Sequence, residues 1–373
     1  MIYFDNAATS FPKPDTVRDA VCRAIDSFAN PSRGSHELSL NALRCVEYTR
    51  TQVARLFGCP DSQRIAFTSN VTEALNIAIR SIRGHIVTTE AEHNSVLRPV
   101  FRSKNFTVAK VDRLGRYSAE DIARALRPDT KAVVVGHASN VTGTIAPVAA
   151  IGRLCRERGI VFIVDAAQTA GLLDIDMVES NIDALCFTGH KSLYGLQGTG
   201  GLCLGARFTP DPLVVGGSGS HSFDPEQPTE MPTRLEAGTL NSHGIAALSA
   251  GIHYVNEMGT ERLLATASKL ARRFYNEVAG LDGITFLGDC EADARMPIVT
   301  LNVGSLPSSD VADILAEEYD IAVRAGAHCA PLLHKAFGTV EFGAVRFSFS
   351  HFNTIDEVTL AIESIRRLSA KEW

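Results

Sequence analysis

The stretch "DALCFTGHKSLYGLQGTGGL" (Asp183 to Leu202) decides how the chain is read. It opens on Ala184-Leu185-Cys186-Phe187, a short apolar run of strand character with no polar residue to alternate with. The run breaks into a turn rich in Gly and hydroxyl side chains, which carries one lysine, Lys191, between His190 and Ser192. A second run, "GLCLG" (201–205), follows. A strand this apolar predicts burial on both faces of a sheet, and a long amine at its end predicts a partner there.

Similar runs lie upstream: "RIAFT" (64–68), "HIVTT" (85–89), "AVVVGH" (132–137) and "IVFIVD" (160–165). Between the first two, "VTEALNIAIRSI" places Leu75, Ile79 and Ile82 at helical spacing. Strands alternating with helices in this way predict an α/β domain, its mostly parallel sheet covered on both sides. The Gly-, Pro- and Ser-rich segment 214–244 then interrupts the pattern, and a loop that long predicts function or disorder. Beyond it, helical patterns at 245–257, 260–278, 308–318 and 355–369 mix with "MPIVTLNV", "IAVRAG" and "AVRFSF". The expected division is a large domain over 15–250 and a smaller α+β domain over 251–373, with residues 1–14 packing near the latter.

Of 373 residues, 45% are hydrophobic and 21% charged, an ordinary globular composition; the net charge of -6 excludes a generally basic nucleic-acid or anionic-membrane binder. No apolar run approaches the ~18 residues of a membrane span. The eight cysteines form no CxxC pair, and the first residues lack a secretion signal, so the expected location is the reducing cytoplasm.

Five features sit at the carboxyl ends of the predicted strands, where open α/β sheets place ligands. Val71 and Thr72 open a helix after "RIAFTSN"; His93 follows "HIVTTEAE"; Asn140 follows "AVVVGHAS"; Asp165 ends "IVFIVD" and leads to Gln168; Lys191 is the fifth. Separately each reads as a cap, a turn former or a solvated charge. Together they match what pyridoxal phosphate requires. An amine holds its aldehyde as a Schiff base, which is Lys191. An anion beside the pyridine nitrogen keeps the ring an electron sink, which is Asp165. A flat group stacks on the ring, His93, and donors reach the phenolic oxygen, Gln168 and Asn140. A helix N-terminus takes the phosphate at Val71 and Thr72, with Thr188 and His190 as further donors. "GHKS" lacks P-loop spacing and neither "GTGG" nor "GGSGS" completes GxGxxG, which argues against nucleotide and nicotinamide binding.

"YFDNAAT", "TEAEHNSV", "SNVTGT", "VDAAQTAG", "TGHKSLYGLQGTGGL", "EAGTLN" and "RAGAHCAPLLHKAFGT" occur in this order from residue 3 to about 350. In these motifs the chain resembles the cysteine desulfurases, in the class V aminotransferase branch of fold type I pyridoxal-phosphate enzymes. The resemblance implies a large domain on a mostly parallel seven-stranded sheet and a smaller α+β C-terminal domain. It implies Lys191, Cys329 and His93 as catalytic groups, and Val71, Thr72, His93, Asn140, Asp165, Gln168, Thr188, His190, Lys191 and Thr239 as cofactor contacts. Arg346, Asn140 and Arg33 would contact substrate. The implied assembly is a homodimer in which Arg33, Thr239 and the 214–239 loop serve the neighbouring site.

"RAGAHCAP" is similar to the group II desulfurase motif, which usually has two histidines before its cysteine; here the first is Ala327. Gly326, Ala327, His328 and Pro331 predict a turn around Cys329, with His328 or Arg324 activating the thiol. The other seven cysteines are expected to be buried apolar filler. The implied reaction converts L-cysteine to L-alanine and leaves a persulfide on Cys329 for a sulfur-acceptor protein, as in iron–sulfur cluster assembly. The alternatives are a selenocysteine lyase, a cysteine sulfinate desulfinase, another aminotransferase, lyase or epimerase on this scaffold, or a non-catalytic protein that binds a sulfur-transfer partner.

Overall fold

The computed structural model describes residues 1–31 and 34–370. The six apolar runs, joined by the less buried edge strand Phe106–Ala109 that none of them announced, form a seven-stranded sheet in the order Ile65–Thr68, Gly200–Leu204, Ala184–Thr188, Val161–Asp165, Thr130–Gly136, His85–Thr89, Phe106–Ala109. From Ala184–Thr188 to Phe106–Ala109 every neighbouring pair is parallel. Gly200–Leu204 alone runs antiparallel to both its neighbours. Connection length explains this exception, because a parallel crossover needs a dozen or more residues and usually a helix. The Lys191 turn is shorter, so it returns the chain directly beside the strand it left.

Both faces of the sheet are apolar. Along Thr130–Gly136, Val133 and Val135 enter one core cluster while Ala132 and Val134 enter the opposite one. Residues of helices Glu37–Leu56, Val148–Arg158 and Ser242–Met258 complete the first cluster, and those of Val71–Arg80 and Asn94–Ser103 the second. Alternation of side-chain direction along a strand therefore carries no polar face here. Shared strand direction brings the carboxyl ends at Thr89, Gly136, Asp165 and Thr188 to one edge of the sheet.

A second, four-stranded antiparallel sheet runs Arg324–Gly326, Ala344–Ser348, Ile298–Val303, Ile284–Leu287. The amino terminus joins its core. Ile2–Tyr3 pairs in parallel with Ile321–Ala322, and the buried Phe4 ring lies 6.0 Å from Phe347 and 5.0 Å from Phe349. Helix Ser242–Met258 passes through 250/251 without a break, and Ile252 still packs in the large sheet's core. The first interruption is Gly259, at φ +79°, where helix Thr260–Val278 begins.

Segment 214–239 is a succession of turns rather than regular structure. Its carboxyl part is tied down by Glu236, which accepts from Arg50 Nη1 at 2.8 Å, Arg50 Nη2 at 3.1 Å and the Phe67 N–H at 2.7 Å. The Arg50 side chain is 1% exposed and lies over the Phe67 ring. Glu236→Ala removes the bidentate partner and leaves the guanidinium only Glu47 Oε1 at 3.3 Å and the Ile65 carbonyl, so an unfolding free energy lower by about 3 kcal/mol, the low end for a broken buried pair, is expected. Replacing both partners by leucine and methionine should recover most of it. Equilibrium urea unfolding measures both, and a loss below about 1 kcal/mol in the single variant would show that the anchor is not stabilising.

The expectation that seven cysteines are buried filler is corrected for two. Cys22 is exposed and Cys45 half-buried; Cys59, Cys155, Cys186, Cys203 and Cys290 are buried. Cys22 lies off the stripe of helix Asp15–Ser27 that buries Val17 and Ala24. An apolar residue count does not reveal on which side of a helix a lone cysteine falls.

Candidate active site

At the strand ends lies a cavity of about 270 Å³. Its wall contains Val71, Thr72, His93, Asn140, Asp165, Gln168, Thr188, His190, Lys191, Cys329 and Arg346, together with Arg324 and His328. Thr239 is not on this wall; it lines a separate cleft with Thr68, Glu73, Gly198 and Glu236. Arg33 lies outside the described residues.

Lys191 is held by backbone geometry that its neighbours enforce. Gly171 sits at φ +89°, where a Cβ would stand 2.2 Å from the Ser192 carbonyl oxygen, and a Cβ on Gly189 would meet Thr199 Oγ1 at 2.2 Å. From the other side the amino-terminal segment straps the turn. The His190 carbonyl accepts from the Ser10 N–H (3.2 Å), Thr9 Oγ1 (3.1 Å) and Lys13 Nζ (2.7 Å), and the Lys191 carbonyl accepts from Ser10 Oγ at 2.9 Å. No motif reasoning assigned Thr9, Ser10 and Lys13 this task, because no periodicity marks them. Burial pushes the Lys191 ammonium down to about 8, opposed by the charge of Asp165.

Asp165 is buried at the end of its strand, which pushes its carboxyl above the usual range; the Ala167 N–H donated to Oδ1 at 2.8 Å and the Lys191 charge act against this. His93 caps helix Asn94–Ser103 through Nδ1, which accepts the Ser95 N–H at 3.0 Å. Ser95 Oγ lies 2.9 Å from the same nitrogen and 2.8 Å from Thr72 Oγ1, joining the two predicted residues through one the sequence did not flag. Accepting at Nδ1 leaves the ring proton on Nε2. Burial, then the Lys191 charge, pushes His93 down to about 4, so its ring is flat and neutral at pH 7. His190 is likewise lowered to about 4 by burial and by Lys191 and Lys13. Glu92 is raised to about 8 by burial, while it accepts from Thr89 Oγ1 at 2.6 Å and the Gly136 N–H at 2.7 Å. Helix Val71–Arg80 starts at Asn70, whose side chain takes the Glu73 N–H, and first-turn N–H groups lack intrahelical partners.

Cys329 is exposed on the cavity wall, in a turn where His328 (φ +49°) and Cys329 (φ +55°) are both left-handed. Side chains with a Cβ adopt that conformation only under constraint. The constraint is visible: the His328 carbonyl accepts from Asn140 Nδ2 at 2.8 Å and the Cys329 carbonyl from the Asn94 N–H at 2.7 Å. The expectation that His328 activates the thiol is corrected. Its ring nitrogens face His334 Nε2 (3.3 Å) and the Arg324 carbonyl (3.2 Å), and burial pushes its pKa down to about 3. Arg324 and Arg346 remain as the guanidinium charges of this wall.

The donor set fits pyridoxal phosphate. A buried carboxylate short of a cation would be matched by a protonated pyridine nitrogen, a neutral imidazole by a ring face, and a helix start by a phosphate. Among the described residues no group of His, Cys, Asp and Glu is arranged to hold a metal ion, and no helix is long and apolar enough to cross a membrane.

An α/β sheet with a half-buried lysine and a buried aspartate at adjacent strand ends defines a pyridoxal-phosphate enzyme of fold type I. The description of the class V aminotransferases matches residues 2–360. A probable cysteine desulfurase of Methanothermobacter thermautotrophicus is 33% identical, the match covering 99% of this chain and 94% of that protein. One from Pyrococcus abyssi is 34% identical over 96% of this chain and 92% of that protein. The apo structure of the cysteine desulfurase of Thermococcus onnurineus NA1 superposes with a TM-score of 0.92 at 34% identity, covering 99% of this chain and 94% of that one. The chain belongs to the class V aminotransferase family, in its cysteine desulfurase branch.

Proposed function

We propose that the chain removes sulfur from L-cysteine, leaving L-alanine and a persulfide on Cys329. The observation that carries this reading is an exposed cysteine, constrained in a left-handed turn, on the wall of the cavity that Lys191 and Asp165 also line. Lys191 would hold pyridoxal phosphate, Asp165 its pyridine nitrogen, His93 its ring face, Gln168 and Asn140 its phenolic oxygen, and Val71, Thr72, Thr188 and His190 its phosphate. The bound cofactor supplies an electron sink for bonds at the substrate's Cα.

The chain's own groups do the rest. Arg346 binds the substrate carboxylate through its planar guanidinium. Lys191, whose lowered basicity leaves part of it unprotonated near neutral pH, takes and returns a proton at the substrate's Cα. Cys329 Sγ attacks the substrate sulfur as a thiolate. A sulfur–sulfur bond forms while the carbon–sulfur bond breaks, its electron pair stays on carbon, and a proton completes alanine. A homodimer with shared sites is supported by Thr239, which lies off its own chain's cavity wall. Transfer of the persulfide sulfur to an acceptor protein in a reducing cytoplasm fits a chain whose cysteines are all free.

The holoenzyme incubated with L-cysteine and a thiol reductant is expected to release alanine and sulfide in equal amounts, measured by amino-acid analysis and sulfide assay. Pyruvate with ammonia, or a keto acid formed only when a second amino acid is added, would assign the scaffold to a lyase or a transaminase instead.

A further inference from the structure

Arg324 and Arg346 are directly opposite each other on antiparallel strands. Like charges in that position repel, and an anion between them offsets the repulsion. The anion comes from the far end of the chain. Asp5, placed by its bridge to Ser348, accepts from Arg346 Nη2 at 2.7 Å through Oδ1 and faces Arg324 Nη1 at 3.6 Å through Oδ2. Arg346 Nη1 donates to the Asn140 carbonyl at 3.0 Å, and its Nε is buried without a partner. Arg324 and Arg346 line the cavity. Two guanidinium groups and one carboxylate leave one net positive charge at this end of the site.

We propose that Asp5 sets substrate specificity: it trims the charge beside Arg346 to match an amino acid with a single anionic group and disfavours substrates that carry a second one, as cysteine sulfinate does. This rests on the reading of Arg346 as the carboxylate-binding residue. Asp5 does not reach the cavity wall itself; it is a positioning residue that acts through the two arginines.

The test compares holoenzyme dissociation constants for L-alanine and L-aspartate, read from the change in cofactor absorbance. It is accompanied by kcat/KM for L-cysteine and L-cysteine sulfinate. Asp5→Asn is expected to shift both preference ratios toward the dianion by about tenfold, the size of effect one unit charge exerts over several ångströms at intermediate dielectric. Asp5→Glu should restore the wild-type ratio to within about twofold. Arg324→Gln, on a side chain 55% exposed, removes a positive charge and should shift the ratio the opposite way. Opposite shifts cannot arise from a loosened fold. Equal weakening of both ligands in Asp5→Asn, or unchanged ratios in both variants, overturns the proposal. If Arg346→Ala weakens neither ligand, the carboxylate reading itself has failed, whereas a weakened Arg346→Ala with unchanged Asp5→Asn ratios rejects Asp5 alone.

Discussion

Lys191→Ala is expected to abolish the visible absorbance of bound cofactor and to lower turnover of L-cysteine by at least about 10³-fold. The residue carries two duties, holding a carbonyl cofactor and moving a proton, and general acid–base transfer alone is typically worth ~10²–10⁴-fold. The amine's environment adds a pH signature. A cationic acid whose pKa is lowered loses its proton at lower pH than an exposed lysine near 10.4. Capture of pyridoxal phosphate by the apo-protein should therefore accelerate as pH rises and level off above about 8. Rapid-mixing absorbance over pH 6 to 10 measures this. A capture rate still climbing steeply between pH 9 and 10 would mean that burial does not tune Lys191. Retention of full turnover by Lys191→Ala would remove it from the mechanism.

Cys329→Ala should leave cofactor absorbance and amino-acid binding intact while sulfide release from L-cysteine falls by about 10²–10³-fold, as expected for loss of a covalent nucleophile. The separation is expected because the cofactor's proposed contacts do not include Cys329, which enters only at sulfur transfer. Mass spectrometry of the wild type after a single turnover should find one added sulfur atom on the peptide containing Cys329. Selenocysteine, with its weaker carbon–heteroatom bond, is expected to remain a substrate of the variant, so L-cysteine is the stringent case. Sulfide release at the wild-type rate, with no sulfur found on Cys329, would reject the desulfurase reading and leave the fold and cofactor standing.

Much of the site is local in sequence because parallel strands end together. Asp165 and Lys191 close or follow apolar runs that read directly as buried strands, and strand direction then brings both to one edge. The helix at Val71 was legible for a similar reason, since its apolar spacing begins after a turn capped by Asn70. The direction of Gly200–Leu204 was not marked by its composition, which is as apolar as that of the strands that run parallel to one another. Only the length of the connection distinguishes it.

By itself, then, the sequence determined which segments are strands buried on both faces, where the Gly-rich turn presents an amine, and which polar residues follow strand ends. Each is a property of neighbouring residues, set by side-chain period and turn chemistry. Tertiary structure alone decided what surrounds those residues. It brought Asp5 between Arg324 and Arg346, Thr9, Ser10 and Lys13 onto the His190–Lys191 turn, and Asn140 onto the carbonyl before Cys329. It also turned His328 away from the thiol that its place in the motif had suggested it would activate, because both its ring nitrogens are taken up in a buried pocket. Charge neutralisation and desolvation depend on groups far apart in the chain, and those distances exist only once the two sheets have packed.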